Sequence, residues 1–305
     1  MAKISIIGAG NVGSMLAERV LAHDLADVVL VDIAEGLAKA KAFDLTDASP
    51  IMGYRRDILG SESYEETRGS AIVVITAGSA RKPGMSRDDL IKKNSAVARS
   101  VLASVRKYAP EAIIVIVTNP LDIITYLAYK EIGCSRRKIL GMAGTLDSAR
   151  FVMAISQKLK VEPDRIDAIV LGTHGDTMVP LVSRTRVKGE ALDKVLDKES
   201  LDELIARTKK RGGEILGLLR SGSAYFSPSA SCFSILKAII NDERRVLPCS
   251  CVLEGEYGID GCALGVPAKI GKDGIIEIVE WDLAVDELGA LRSAAKTIKG
   301  VLSKM

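Results

Sequence analysis

The sequence predicts an α/β protein in which a doubly wound parallel sheet is followed by an α+β region. Two observations support this. Through the first half of the chain, short continuous runs rich in Ile and Val alternate with longer stretches of helical periodicity, a pattern typical of βαβ units in a parallel sheet. In the second half, apolar runs separated by turn residues follow one another closely, which favours a mixed or antiparallel sheet.

The elements follow from these patterns. In the first half we expect strands at residues 4–7, 28–31, 71–75 and 113–117, and helices at residues 12–22, 35–45 and 90–108. In the second half we expect helices at residues 146–159, 199–219 and 286–302, and strands at residues 166–171, 246–253, 262–270 and 275–279. Gly212 and Gly213 lie inside one of these helices and predict a kink or break there. The change of pattern predicts two domains, residues 1–143 and 144–305.

Composition excludes several classes of protein. The 305 residues suit two domains in contact, and 48% hydrophobic with 27% charged residues is ordinary for a globular protein. A net charge of +3 gives no electrostatic footprint for nucleic acid or an anionic membrane. The first apolar run ends at Gly8, too early for a signal-peptide core, and no run approaches the length of a membrane span. We therefore expect a cytoplasmic protein.

Cysteine and histidine usage indicates neither disulfides nor a metal. The five cysteines are odd in number and contain no CxxC spacing, so we expect no disulfide framework. Cys249 and Cys251 are two residues apart, share a face on a strand, and are expected to be small core residues. The two histidines, His23 and His174, are too few to assemble a convincing zinc site, and we expect no metal. His23 ends the first predicted helix, where it caps the helix or is solvated.

Residues 8–13 carry the pattern GxGxxG between a predicted strand and a predicted helix, the context in which this motif binds a dinucleotide. Gly8 permits a tight turn, Gly10 lets the backbone approach a pyrophosphate, and Gly13 lets the helix pack close to the strand. The helix N-terminus supplies free N–H donors and the positive end of a dipole. The first domain is therefore predicted to be of the Rossmann type.

Asp32 ends the second predicted strand, about 20 positions after the glycines. A carboxylate there accepts hydrogen bonds from the hydroxyls of the adenosine ribose and repels a 2′-phosphate, which favours NAD over NADP. The alternative is a packing turn with a solvated aspartate. The strand, the glycines and the helix in their proper order favour the dinucleotide interpretation.

Polar residues follow two further predicted strands. Asn119 comes after residues 113–117, and ligand sites in open parallel sheets lie at the carboxyl ends of strands. Its amide could hold a substrate oxygen, although it could equally be a turn residue before proline. His174 lies between Gly172 and Gly175. Histidine suits the transfer of one proton near neutral pH, and the alternative is a structural histidine.

Asp147 and Arg150 are three residues apart and share one face of a predicted helix. They form either an exposed ion pair or part of a site, in which Asp147 orients His174 and Arg150 binds a substrate carboxylate. The loop at residues 79–87 carries three positive charges after a predicted strand. It suits an anionic substrate and could close as a lid, or it is simply a solvated basic loop.

Taken together, these segments resemble the malate/lactate dehydrogenase family along nearly the whole chain. The resemblance rests on residues 8–13, 32, 80–90, 118–120, 146–150, 172–180, 222–231 and 253–258. One small departure is Thr173, where many relatives have glycine.

The resemblance implies a role for each side chain of the predicted chemical site. His174 is the proton donor and acceptor, and Asp147 is its partner. Arg150 binds the C1 carboxylate of the substrate and Arg87 polarises the reacting carbonyl. Arg81 occupies the position that selects the other end of the substrate, which is Arg in malate dehydrogenases and Gln in typical lactate dehydrogenases.

The resemblance also implies NAD as the cofactor, with contacts from Gly8, Ala9, Gly10, Asn11, Val12, Gly13, Asp32, Asn94, Val117, Thr118 and Asn119. It is strongest with the lactate-dehydrogenase-like malate dehydrogenases, which are commonly tetramers, so we expect a homo-oligomer, with a tetramer favoured over a dimer. Two alternatives remain: another 2-hydroxyacid dehydrogenase, such as a lactate dehydrogenase, and a catalytically inactive NAD-binding protein.

Overall fold

The computed structural model describes residues 2–79, 86–220 and 222–305, and for Arg87 it describes the backbone alone. The first half of the chain forms the parallel part of one large sheet. Its strands are Lys3–Ile7 (β1), Asp27–Val31 (β2), Ile58–Ser61 (β3), Ile72–Ile75 (β4), Ile113–Ile116 (β5) and Ile139–Gly141 (β6), and its helices are Asn11–Ala22 (α1), Leu37–Met52 (α2), Arg87–Tyr108 (α3) and Leu121–Ile132 (α4).

The strand order in this part is β3-β2-β1-β4-β5-β6, with every pair parallel. The order reverses between β1 and β4, so the carboxyl ends of these two strands border the crevice where an open α/β sheet binds its ligand. The strands predicted in this half are confirmed, because continuous Ile and Val runs bury both faces of each strand.

In this half the sequence patterns did not predict β3, β6 and α4. The two strands have four and three residues, which is too few to show a period. Most side chains of α4 are buried, so its sequence lacks the polar face that marks a helix.

The second half adds antiparallel strands and more helices. The strands are Ile166–Asp167 (β7), Val170–Gly172 (β8), Met178–Pro180 (β9), Arg186–Val187 (β10), Glu190–Ala191 (β11), Arg245–Glu254 (β12), Asp260–Gly271 (β13) and Gly274–Ile278 (β14). The helices are Gly144–Leu159 (α5), Leu192–Val195 (α6), Lys198–Leu219 (α7), Phe226–Ile240 (α8) and Val285–Leu302 (α9).

The main sheet continues from one half of the chain into the other. Ser250 of β12 pairs antiparallel with Gly141 of β6, and the sheet then runs through β13, β8 and β9. The domain boundary predicted between residues 143 and 144 lies in the connection from β6 to α5. The start of α5 therefore stands at the carboxyl edge of the parallel strands, beside the antiparallel extension.

Two predictions for the second half are wrong. Residues 166–171 form two short strands in different sheets, β7 and β8, instead of one. The helix α7 is continuous through Gly212 and Gly213. A glycine costs an exposed helix only about 1 kcal/mol. The contacts of α7 with α5 compensate for it, and a Cβ on Gly212 would lie only 3.5 Å from the Arg150 guanidinium.

Four of the five cysteines are buried in the core, and all five are free thiols, as the sequence predicted. They are Cys232 of α8, Cys249 and Cys251 of β12, and Cys262 of β13. Burial raises the pKa of Cys249 to about 12, so its thiol stays protonated and chemically inert. In the described part of the chain, no helix is both long enough and apolar enough to cross a membrane.

Candidate active site

Two of the three motif glycines occupy positions that only glycine fits. Gly8 follows β1 with a φ of 111°, and a Cβ on it would lie 2.6 Å from Thr76 Oγ1. A Cβ on Gly13 would lie 1.9 Å from the carbonyl oxygen of Gly8. The absence of both side chains lets α1 pack directly against the end of β1.

Gly10 has a different role. It is the N-cap of α1, offers no capping side chain, and would have nothing within 4 Å of an added Cβ. The first amides of α1, which begins with Asn11, have no acceptors inside the helix and are not capped. Backbone donors at the positive end of a helix, with open space before them, fit the pyrophosphate of a dinucleotide. The side chains of Ala9 and Val12 instead pack into the core.

Asp32 follows β2 and lies directly beside the glycine loop. Its Oδ2 accepts a hydrogen bond of 2.7 Å from the Ala9 amide, and its Oδ1 accepts one of 2.9 Å from the Ala34 amide. A carboxylate has about four acceptor positions, so two remain for the hydroxyls of a ribose. The structure thus brings the predicted ribose ligand and the predicted pyrophosphate loop together.

Asn94 and Thr118 tie the strand ends together. Asn94 Nδ2 donates to the carbonyl oxygens of Ser79 (3.1 Å) and Asn119 (2.7 Å), and its Oδ1 accepts from the Ser79 amide (2.8 Å). Thr118 Oγ1 donates to the Ala77 carbonyl oxygen at 2.7 Å. These side chains hold residues 77–79, which follow β4, against the turn after β5, and both donors of Asn94 are already used. They shape the wall of the crevice.

Asn119 lies exposed at the carboxyl end of β5, beside the buried Val117. Its side-chain amide makes no hydrogen bond to the described residues, so its donors and acceptor are free to meet a ligand. The structure thus places Asn119 where the sequence predicted a substrate or cofactor contact.

His174, Asp147 and Arg150 form one cluster. His174 comes two residues after the end of β8, and the other two lie in the first two turns of α5. His174 Nδ1 is 2.8 Å from Asp147 Oδ2, and Arg150 Nη1 is 3.4 Å from Asp147 Oδ1. Asp147 is only 1% exposed, whereas His174 is 17% and Arg150 13% exposed. The carboxylate is therefore internal, and its two partners are the more exposed members of the cluster.

The geometry fixes the histidine tautomer. A carboxylate only accepts hydrogen bonds, so the proton lies on Nδ1 and faces Asp147, and Nε2 is left to exchange a proton with a ligand. Burial opposes the charged imidazolium, but the charge and hydrogen bond of Asp147 outweigh it. The pKa of His174 is therefore raised above its ordinary value of 6.5.

Arg150 is held in an unusual environment for a guanidinium. Its buried Nε has no hydrogen-bond partner among the described residues. Burial lowers its pKa, Asp147 opposes this, and Arg211 of α7 lowers it further. An underused buried cation favours the binding of an anion.

Asp122, in the first turn of α4, is a member of the site that the sequence reading missed. Its Oδ2 accepts from the His174 backbone amide at 3.0 Å, and its Oδ1 accepts from the Ser250 hydroxyl at 2.7 Å. Burial raises the pKa of this carboxyl to about 6, although both hydrogen bonds and His174 act in the opposite direction. An aspartate next to the apolar run at residues 123–124, in a helix whose first turns are buried, was the signal that could have identified it.

Two predicted site residues fall wholly or partly outside the described residues. Arg81 is one of the residues that the structure does not describe. Arg87 begins α3, after the N-cap Ser86, and its side chain lies outside the description. Ser79, the described residue that precedes them, exchanges two hydrogen bonds with Asn94.

Comparisons with known proteins agree with this geometry. A family model described as the NAD binding domain of lactate/malate dehydrogenase matches residues 2–141, and one described as the alpha/beta C-terminal domain of the same family matches residues 144–305. A curated relative named malate dehydrogenase from Bacillus subtilis (strain 168) is 46% identical over 302 residues, covering 98% of this chain and 97% of the relative. One of the same name from Methanosarcina barkeri is 46% identical, covering 100% and 99%.

Solved structures of both enzyme types are similar to this chain. The malate dehydrogenase from Picrophilus torridus in its apo form gives a TM-score of 0.95 at 40% identity, covering 99% of this chain and 96% of that one. The lactate dehydrogenase from Cryptosporidium parvum, complexed with lactic acid and β-nicotinamide adenine dinucleotide, gives 0.96 at 36% identity, covering 99% and 97%. The fold alone therefore does not select the substrate. The chain belongs to the lactate/malate dehydrogenase family.

Proposed function

We propose that this chain catalyses the reversible, NAD-dependent oxidation of (S)-malate to oxaloacetate. The observation that carries the proposal is the buried carboxylate of Asp147, which holds a proton-transfer group, His174, and an anion-binding group, Arg150, at the same point of the crevice. Oxidation of a 2-hydroxyacid requires a proton-transfer group at the C2 hydroxyl and an anion-binding group at the C1 carboxylate. These two substrate groups are adjacent, because C1 is attached to the carbon that reacts. The full-length relatives named malate dehydrogenase support malate, over other 2-hydroxyacids, as the substrate.

The proton is handled by His174. In oxidation, neutral His174 takes the proton of the C2 hydroxyl at Nε2, and in reduction protonated His174 returns a proton to the carbonyl oxygen. Asp147 orients the ring through Nδ1 and stabilises the imidazolium. NAD, when bound, supplies the acceptor of the hydride that leaves C2. The glycine loop and Asp32 hold its pyrophosphate and adenosine ribose.

The substrate is held by three arginines. Arg150 binds the C1 carboxylate by two parallel hydrogen bonds, for which a guanidinium is suited. Arg87 polarises the reacting carbonyl, and Arg81 binds the second carboxylate that distinguishes oxaloacetate from pyruvate. Asn119, free at the strand end, adds a hydrogen bond to a substrate oxygen or to the cofactor.

The experiment that tests this function measures NADH consumption with oxaloacetate and with pyruvate in parallel. We expect oxaloacetate to have the higher kcat/KM. Turnover of pyruvate at the same or higher efficiency would make the chain a lactate dehydrogenase. Binding of NADH without turnover of either acid would indicate an inactive NAD-binding protein.

Arg81→Gln tests the substrate choice at one residue. Loss of one partner from a water-excluded ion pair costs on the order of 2–5 kcal/mol, so we expect kcat/KM for oxaloacetate to fall by about 30-fold or more. The relative use of pyruvate should rise, because its methyl group no longer faces an unpaired cation. Arg81→Lys should restore the activity only in part. An unchanged ratio of oxaloacetate to pyruvate efficiency would remove Arg81 as the selector.

We also propose that the chain is a cytoplasmic homotetramer. The exposed apolar side chains of Phe43, Ile51 and Met52 on α2 support self-association, and five free cysteines support a reducing compartment. Light scattering on the purified protein tests the assembly, for which we expect four subunits. A mass equal to that of one chain would contradict it.

A further inference from the structure

Glu62 is a second carboxylate beside the predicted ribose site. It directly follows β3, which pairs in parallel with β2, so Val31 lies opposite Ser61. The register continues one step beyond the strands, where the Asp32 amide donates to the Ser61 carbonyl oxygen at 3.1 Å. Asp32 and Glu62 therefore leave adjacent strands at the same edge of the sheet.

Glu62 occupies the N-terminus of α2. Its Oε1 accepts a hydrogen bond of 3.0 Å from the amide of Gly36, which is the N-cap of α2, has a φ of 72° and provides no capping side chain. The same oxygen lies 3.9 Å from Nζ of Lys39, in the first turn of that helix. One carboxylate thus contacts both the N-cap amide of α2 and the ammonium group in its first turn.

These contacts enclose a short turn between the two acids. Asp32 binds the Ala34 amide, and two residues later Gly36 binds Glu62. In dinucleotide sites of this type, the residue at the end of β2 contacts the 2′-hydroxyl of the adenosine ribose. A phosphate on that oxygen would carry about two negative charges near neutral pH. It would need positively polarised donors close to the turn, and two of these, the Gly36 amide and the Lys39 ammonium, already contact Glu62.

We propose that Glu62 is a second specificity-determining residue for the cofactor, which excludes the 2′-phosphate of NADP together with Asp32. Glu62 acts in two ways. Its charge repels the phosphate, and its carboxylate occupies the Gly36 amide and the Lys39 ammonium that would otherwise bind the phosphate. The proposal rests on the proposed function only in taking a nicotinamide dinucleotide as the cofactor.

Calorimetric titration with ADP-ribose and with 2′-phospho-ADP-ribose tests the role of Glu62 without any turnover. The variants are Asp32→Ser, Glu62→Gln, Glu62→Ala and the two double substitutions. Gln removes the charge but retains an oxygen that can accept from Gly36, whereas Ala removes both. Glu66→Gln is the matched control, because Glu66 is an exposed glutamate four residues further along. Thermal melts verify that each variant is folded.

In the Asp32→Ser background, we expect Glu62→Ala to increase the affinity for 2′-phospho-ADP-ribose by about tenfold, through lost repulsion and released donors. The affinity for ADP-ribose should change less than about twofold. Glu62→Gln should give a smaller gain than Glu62→Ala, and the gain should shrink at high salt because Glu62 and Lys39 are partly exposed. Steady-state kcat/KM for NADPH relative to NADH should follow the same order.

Three results would overturn the proposal. The first is that Glu62→Ala adds no affinity for 2′-phospho-ADP-ribose beyond that of Asp32→Ser alone. The second is an equal gain in affinity for ADP-ribose and 2′-phospho-ADP-ribose, and the third is the same gain in affinity from Glu66→Gln. The wild-type chain is assayed with NADH and oxaloacetate in the same series. A wild type without that activity would refute the proposed function, whereas the titrations would still decide the role of Glu62.

Discussion

The cofactor loop and the acid/base cluster are built in opposite ways. The loop is one contiguous segment, residues 8–13, that presents backbone amides. Gly8 and Gly13 are required there because added atoms would collide with Thr76 and with the loop itself. The cluster brings together side chains that are far apart in sequence, from α4, α5, β12 and the turn after β8. Steric space therefore determines which residues the loop accepts, whereas the balance of buried charge determines which residues the cluster accepts.

This difference predicts two kinds of failure. An added methyl group in the loop should impair folding or cofactor binding and leave the chemistry of bound substrate intact. Removal of a charge in the cluster should alter turnover and its pH dependence while the cofactor still binds.

His174→Asn should lower kcat for oxaloacetate reduction by roughly 10²–10⁴, the usual contribution of a positioned general acid. The Kd for NADH, measured by fluorescence titration, should stay close to that of the wild type. His23→Asn is the matched control and should be nearly silent, since His23 ends α1 and binds the Arg19 carbonyl oxygen. Near-normal turnover of His174→Asn would refute the acid/base assignment.

Gly13→Ala and Gly10→Ala should separate folding from cofactor binding within one loop. The Cβ of Gly13→Ala collides with the Gly8 carbonyl, so we expect the free energy of unfolding to fall by about 1–3 kcal/mol or more. Gly10 has open space and a φ of −69°, so Gly10→Ala should fold normally.

The added methyl of Gly10→Ala stands where a pyrophosphate approaches, and we expect NADH affinity to fall by about tenfold, or ~1.4 kcal/mol. Denaturant unfolding and NADH titration on both variants provide the comparison. Equal losses of stability in the two variants would contradict the account of the loop.

Among these substitutions, Asp122→Asn should have the smallest effect on kcat/KM for oxaloacetate. Asparagine can still accept from the His174 amide and bond to Ser250, but it removes a negative charge that contributes to raising the pKa of His174. Asp122 is mostly ionised above about pH 6. The pKa of His174 should therefore fall, and kcat/KM for oxaloacetate should decline at a lower pH than in the wild type, with a several-fold loss at alkaline pH.

Asp176→Asn is the control for that variant, because Asp176 is an exposed aspartate in the same turn as His174. The pH dependence of its kcat/KM for oxaloacetate should match that of the wild type. If Asp122→Asn leaves the decline in kcat/KM where it was, Asp122 has no part in setting the protonation of His174.

The sequence predicted the local features well and the long-range ones poorly. The strands of the parallel sheet and the glycine loop depend on neighbouring residues, so their patterns are visible along the chain. Asp122 was missed because its two partners are 52 and 128 residues away in sequence. The break predicted at Gly212 and Gly213 was wrong, since packing of α7 against α5 is invisible to helix propensity.

The family resemblance supplied what the residues alone left open. The i,i+3 spacing of Asp147 and Arg150 fitted either an exposed ion pair or a catalytic one, and the structure shows a buried carboxylate shared with His174. The role of Arg81 stays a prediction, since that residue lies outside the described part of the chain.

The pH dependence of kcat/KM for oxaloacetate reduction and for malate oxidation tests whether the His174–Asp147 pair transfers the proton. His174 must be protonated for reduction and neutral for oxidation. kcat/KM for oxaloacetate should therefore fall as the pH rises through the pKa of His174, and kcat/KM for malate should rise through the same pKa. Because Asp147 raises that pKa, the midpoints of both pH transitions should lie above 6.5. If both efficiencies change in the same direction with pH, or if their common pKa is 6.5 or lower, the pKa of His174 is not raised by a buried aspartate.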